Sequence, residues 1–203
     1  MAFTYFFRDR QTLEVIRDYA LPKLRSRRYI HIWDAGCAMG PEPYSLAIIL
    51  CENMGRMLFR NLTIHATDVD ESDQFEKIIR AGEYRQDQVK SVPKEIMQRY
   101  FQVNNDTGNV IIDKNIRDKV KFSRHDLLCL NPIRKDLSLI MCKNVLLHLQ
   151  PEQRIQVIKM FHSALHEEGF FVTEQTQQLP DEVQNLFEPV VSHVKMYKKK
   201  AQI

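Results

Sequence analysis

The chain has 203 residues, 29 Lys and Arg against 26 Asp and Glu, a formal net charge of +3 and a 44% apolar fraction. This length suits a single domain with a full core, and the ordinary composition speaks against disordered and fibrous classes. So small a charge does not point to nucleic acid as a partner, and with no run of 18 apolar residues no membrane insertion is expected.

In chain order, a helix is expected over Arg10–Leu24, with Leu13, Ile16, Ala20 and Leu24 on one side. The strand Ile30–Trp33 comes next, then a helix from Glu42 to about Asn53 with Pro41 and Pro43 at its beginning, where missing donors cost little. A second strand, Leu62–Thr67, runs into Asp68-Val-Asp70, and a helix over Ser72–Arg80 leads to Gly82-Glu-Tyr84. Pro93–Tyr100 reads as helical, and Phe101–Asp113 as a hairpin around the polar turn Asn105–Asn109. This marks residues 93–119 as a small antiparallel β insertion within one domain spanning 1–203. The strands Val120–Ser123 and Leu137–Cys142 follow. Pro151 opens a helix that Gly169 should end. Phe170–Thr173 is a fifth core strand, and His193–Lys199 an antiparallel edge hairpin segment. Alternating strands and helices indicate an α/β fold with a mostly parallel sheet. The basic cluster Lys195 and Lys198-Lys199-Lys200 reads as a solvated strand end. Cys37, Cys51, Cys129 and Cys142, far apart and without Cys-x-x-Cys or a secretory leader, suggest reduced thiols in a cytosolic protein. No metal site is expected.

The strand ending at Asp34 is followed by Gly36, Ala38 and Gly40 and then by an apolar helical pattern. A parallel strand that turns sharply into a helix beneath a nucleotide-like ligand needs such small residues. The acid-x-Gly-x-small-x-Gly spacing resembles the first motif of S-adenosylmethionine (SAM) methyltransferases more than the Gly-x-Gly-x-x-Gly of dinucleotide binders. Polar residues also stand at four strand ends, at Asp34/Gly36, Asp68, Asp126 and Asn144. A single Asp after a strand is usually a turn or cap residue. Four in register with a glycine turn describe a ligand site, and Asp68 is placed to accept both ribose hydroxyls.

The chain resembles the catalytic domain of the CheR family, chemotaxis-type protein-glutamate O-methyltransferases. Thr4-Tyr-Phe-Phe-Arg8 is similar to the family's Thr-x-Phe-Phe-Arg, and Gly40-Pro-Glu-Pro-Tyr-Ser45 to its Gly-x-Glu-Pro-Tyr-Ser. Ala66-Thr-Asp-Val-Asp70 and Cys142-Lys-Asn-Val-Leu-Leu-His148 are similar to Ala-Thr-Asp-Ile-Asp and Cys-Arg-Asn-Val-Leu-Ile-Tyr. The resemblance implies a class I, Rossmann-like SAM-dependent methyltransferase sheet flanked by helices. It further implies that Thr4 and Arg8 close over SAM, with Gly36 in the turn beneath it. Glu42 would meet the amino end of the methionine moiety, Asp68 the ribose, and Asp126 and Leu127 the adenine. Lys143 and Asn144 would line the wall beside the sulfonium. Arg8 and His148 are the candidate catalytic residues, His148 standing where the family has a Tyr.

The implied activity is methyl transfer to glutamate side chains of a helical chemoreceptor cytoplasmic region, releasing S-adenosylhomocysteine (SAH). The family's helical N-terminal domain has no counterpart here, so either the form is truncated or the substrate is recognised otherwise. The strand after Gly169 ends Thr173-Glu-Gln-Thr-Gln-Gln178 instead of a Gly-His-Ser-Glu-like string, and the turn near Asn105–Asn109 lacks a glycine-rich loop. Tethering to a receptor pentapeptide is therefore not expected. The alternatives are another protein or small-molecule acceptor, and a non-catalytic SAM-binding sensor or scaffold.

Overall fold

A computed structural model describes residues 4–176 and 178–201. Gln177, which falls in the segment Thr173–Gln178 above, lies outside them. The helix expected over residues 10–24 is α1 (Arg10–Val15), a π-helical turn (Ile16–Ala20) and α2 (Leu21–Leu24). Pro22 accounts for the widening. It has no N–H for the carbonyl four residues back and its ring would collide with that carbonyl, and the Leu21 N–H reaches five residues back to Ile16 O.

Next come β1 (Ile30–Ala35), α3 (Pro41–Met54), α4 (Arg56–Arg60) and β2 (Leu62–Asp68). The following helix, α5 (Phe75–Ala81), starts three residues later than its pattern suggests. The Asp70 carboxylate accepts from Ser72 Oγ (3.0 Å), Gln74 N (3.2 Å) and Phe75 N (2.9 Å), so residues 71–73 form a turn before the helix.

Then follow β3 (Glu83–Tyr84), α6 (Lys94–Tyr100), β4 (Phe101–Val103), β5 (Val110–Ile112) and α7 (Lys114–Arg117). β4 and β5 pair across the polar turn, and β3 adds to β5, giving an antiparallel sheet of order β3-β5-β4. β3 precedes the stretch 93–119. Glu83 ties the turn down, its Oε1 accepting from Thr107 Oγ1 (2.5 Å), Asn109 Nδ2 (3.0 Å) and Asn104 Nδ2 (3.3 Å).

The chain returns through β6 (Val120–Arg124), β7 (Leu137–Cys142), α8 (Pro151–Ala164), β8 (Leu165–Thr173), α9 (Asp181–Gln184), β9 (Phe187–Pro189) and β10 (Met196–Lys199). The main sheet has the order β6-β2-β1-β7-β8-β10-β9. The first five strands are parallel, and β10 runs antiparallel to both neighbours. Along β1, Ile30 and Ile32 face the core shared with α1 and α3, whereas Trp33 and Ala35 face α8. Among the described residues no helix is long and apolar enough to cross a membrane, and all four cysteines are free thiols.

One expectation is corrected. Gly169 does not end a helix: α8 stops at Ala164, and Gly169 lies inside β8. There the register against β7 shifts between Leu137 and Leu139, and a Cβ on Gly169 would stand 2.8 Å from His166 O and 3.0 Å from Leu137 O. The glycine serves close backbone approach at an irregular pairing. The last segment does pair in an antiparallel hairpin at the edge of the sheet: β10 lies between β8 and β9, and the outermost strand is the three-residue β9, closed by Pro189, which has no N–H for a further ladder.

Candidate cofactor and methyl-transfer site

From β1 the chain passes through α3 to β2 on one side, while β7 on the other side arrives only after β6. Such a reversal opens a crevice above the carboxyl ends of the strands. The cavity found there has a volume of about 690 Å³. Its wall comes from residues 36–38 after β1, 67–69 at the end of β2, 125–128 after β6, and 143–145 and 147–149 after β7, closed by Thr4, Arg8 and Glu42. Thr4, Arg8, Gly36, Glu42, Asp68, Asp126, Leu127, Lys143, Asn144 and His148 thus line one cavity, although they span almost 150 positions of the sequence.

The surroundings of these residues differ. Asp68 accepts from Ala38 N (2.9 Å) and Asp70 N (3.3 Å), which orients its carboxylate. Asp126 is exposed and caps a single 3-10 turn by accepting from Leu128 N (2.9 Å), whereas Leu127 is buried. Asn144 adopts a left-handed conformation (φ 60°), and its N–H donates to Glu174 Oε2 (3.3 Å). Arg8 and His148 are exposed at the mouth, with the Arg8 guanidinium 5.9 Å from the Tyr5 ring centroid. Gly40 is required by the protein's own packing, since a Cβ there would lie 2.7 Å from Ile79 Cγ1 and 2.8 Å from Tyr84 Oη.

Several contributors carry no individual signal in the sequence. Cys37, Ala38, Val69, Leu128, Val145, Leu147 and Leu149 line the cavity as ordinary apolar residues adjoining the motif positions. His125 also lines it, beside the edge of Trp33. Asp9 and Asp34 lie behind the wall. Their nearness to Arg8 and to the glycine turn was the available clue.

Behind the wall lies a buried charge cluster. Lys143 Nζ stands 3.0 Å from Asp9 Oδ2 and 3.4 Å from Glu42 Oε2, with only 6% of its side chain exposed. Asp34 is fully buried, and neither carboxyl oxygen receives a hydrogen bond from a protein donor. Burial, reinforced by the charge of Glu42, pushes Asp34 well above the usual carboxylate range, which favours its protonated form. Burial also raises Glu42, against the pull of Lys143. Burial would raise Asp9 too, but the charge of Lys143 and the hydrogen bonds from Thr12 bring it below its ordinary value. The Cys37 thiol is pushed up by burial and by the nearby carboxyls, which keeps it protonated and unreactive.

Asp34 therefore gives a pH-dependent prediction. Its folded-state value lies above its unfolded one, so between them the native protein binds the extra proton. Stability then falls as pH rises through that window, by about 1.4 kcal/mol per unit for one group. Asp34→Asn keeps the shape and removes the titration. Its gain in thermal stability over the unaltered chain should be larger at pH 8 than at pH 5. Equal gains at both values would mean that Asp34 is ionised in the fold.

The donor set fits SAM. The cavity joins a carboxylate at the end of β2, which suits a pair of ribose hydroxyls, to apolar Val69, Leu127 and Leu128, which suit an aromatic base. The cavity is also lined by Glu42 and Lys143, with Asp9 behind them, a set with one negative charge in excess, which complements a ligand that is itself cationic. Bound there, SAM supplies a methyl group activated by its sulfonium.

Comparison with known proteins agrees. The family described as "CheR methyltransferase, SAM binding domain" matches residues 2–196. The chain is 31% identical over 176 residues to the chemotaxis protein methyltransferase of Listeria innocua serovar 6a, covering 86% of this chain and 64% of that protein. It is 30% identical over 192 residues to chemotaxis protein methyltransferase 1 of Pseudomonas aeruginosa, covering 89% and 69%. Among solved structures it is similar in fold to magnesium protoporphyrin IX methyltransferase of Synechocystis PCC 6803 with bound SAM. That likeness has a TM-score of 0.50 and 16% identity over 94% of this chain and 79% of the other. A match running from residue 2 to residue 196, over a sheet whose crevice fits this cofactor, places the chain in the CheR methyltransferase family as its SAM-binding domain.

Proposed function

We propose that this domain transfers the methyl group of SAM to glutamate side-chain carboxylates of a helical, chemoreceptor-like protein, leaving SAH. The observation that carries this reading is the polarity of the cavity. Asp68 and Asn144 line it together with Arg8 and His148, both of which are exposed. The relatives, named chemotaxis protein methyltransferases, support a chemotaxis protein as acceptor.

A glutamate carboxylate is ionised near neutral pH, so no general base is needed. What the chain's residues supply is position and exclusion of water. The guanidinium of Arg8 holds the incoming carboxylate, for which its planar fork is suited. His148 borders the acceptor's approach from the 3-10 turn Leu146–His148. Leu147 and Leu149 keep the mouth apolar. Glu42 and Asp68 hold the two ends of the donor, so attack is confined to one line. Alignment of this kind is worth roughly 7–11 kcal/mol in favourable cases.

The test is incubation with methyl-labelled SAM and a glutamate-bearing helical receptor fragment, followed by mild alkali. Labelled methanol is expected, because a carboxyl methyl ester hydrolyses. Label that survives alkali would replace this reading with N-methylation of another acceptor. Arg8→Ala should lower kcat at least 100-fold while changing SAH affinity less than fivefold.

A further inference from the structure

Asp9 is not part of the cavity lining, yet it joins four elements behind it. It directly follows Arg8. It caps α1, accepting from Thr12 N (3.2 Å) and Thr12 Oγ1 (2.7 Å). The same Oδ2 that takes the Thr12 hydroxyl lies 3.0 Å from Lys143 Nζ, just after β7. Gln175, just after β8, donates its Nε2 to Thr12 Oγ1 (3.2 Å), and Lys143 reaches on to Glu42 in the first turn of α3 (3.4 Å).

Helix capping alone would explain the bonds to Thr12 but not the lysine. Lys143 is buried, so its ammonium has to be neutralised by the protein, and it has two carboxylates within reach. The shorter contact is with Asp9. Glu42 shares that cation at the longer distance and also lines the cavity.

We propose that Asp9 is a positioning residue for methyl transfer: its ion pair with Lys143 fastens the segment bearing Thr4 and Arg8 across the cavity and draws Lys143 away from Glu42. The inference rests on the reading of the cavity as the SAM site. Without the charge on Asp9, Lys143 turns wholly to Glu42, and Glu42 no longer offers its carboxylate to the cationic amino end of the cofactor. The segment with Arg8 is then no longer fastened to the strand end that it covers.

Asp9→Asn separates the two roles, because the amide oxygen still caps Thr12 N while the charge is gone. SAH affinity is measured by calorimetry, and release of the fragment ending at Arg8 is followed during trypsin digestion with and without SAH. In the unaltered domain SAH should slow that cleavage. In Asp9→Asn, SAH should bind at least tenfold more weakly and slow it less than twofold, with the melting temperature little changed. Unchanged affinity and protection would make Asp9 a helix cap only and overturn the proposal.

Should Asp9→Asn fail to fold, Asp9→Glu reads the same question from the other side, keeping the charge while weakening the cap. It should melt lower yet bind SAH within threefold of the unaltered domain, and a tenfold loss there would overturn the proposal. If the unaltered domain binds no SAH, the cofactor reading falls, and this inference with it. Binding by the unaltered domain without dependence on Asp9 refutes this inference alone.

Discussion

Asp68→Ala should weaken SAH binding by about 100-fold or more. The carboxylate of Asp68 is held by two backbone N–H groups, from Ala38 and Asp70, so its plane is set before a ligand arrives. A hydrogen bond to a charged group contributes about 1.5–3 kcal/mol, and two ribose hydroxyls on one carboxylate give about 3 kcal/mol or more. At 1.4 kcal/mol per tenfold, this corresponds to at least about 100-fold in the dissociation constant. The substitution also leaves Ala38 N without its acceptor, which loosens the turn after β1. Asp68→Asn should lose less, since one oxygen remains to accept. Calorimetric titration with SAH, alongside thermal melting to exclude unfolding, measures both. A loss below fivefold for Asp68→Ala would remove the ribose role.

Gly36→Ala should destabilise the domain by about 3 kcal/mol. The backbone at Gly36 has φ 97°, and a Cβ there would lie 2.1 Å from Val145 Cγ2. The left-handed side of the φ axis costs an L-residue roughly 1–2 kcal/mol, and forcing a methyl group into a filled space roughly 1–3. For a domain of this size 1 kcal/mol corresponds to roughly 2–4 °C, so the midpoint should fall by roughly 6–12 °C. The double change Gly36→Ala with Val145→Ala should recover the steric share and leave the backbone share, about half of the loss. If the second change restores nothing, the contact with Val145 is not what the glycine protects. Val145 belongs to the cavity wall, so the single variant should also bind SAH less well.

Gly36 shows how the site was legible and where legibility ended. Its spacing from Asp34 and Gly40 marked a tight turn under a ligand, a property of local chain geometry. That its missing Cβ makes room for a valine more than 100 positions away belongs to the packing of β7 against β1. Asp68 and Asn144 were readable because each follows an apolar strand pattern, and parallel strands bring their carboxyl ends to one edge, whereas Lys143 was implied by the family resemblance alone. Asp9 was overlooked because its local role, capping α1, accounts for it fully until Lys143 is placed beside it. Asp34 was seen only as a strand end. Its raised proton affinity depends on burial and on the charge of Glu42.

The elements show the same division. Their order and type follow from periodicity in 203 residues, including the hairpin around residues 105–109. The edge strand β9 has only three residues, too short for alternation to show, and it exists because β10 offers it a partner. Gly169 reads locally as a helix stop, yet it lies in a strand because Leu137 O comes too close for a Cβ.

By itself, then, the sequence determined the alternating fold, the cofactor turn and the acid at the end of β2, because these depend on neighbours within a few positions or on the repeat of one strand. Only the tertiary structure decided which buried carboxyl has its proton affinity raised most, which one holds Lys143, and which side chain fills the space over Gly36. Those outcomes depend on desolvation and on contacts between segments that chain order leaves far apart.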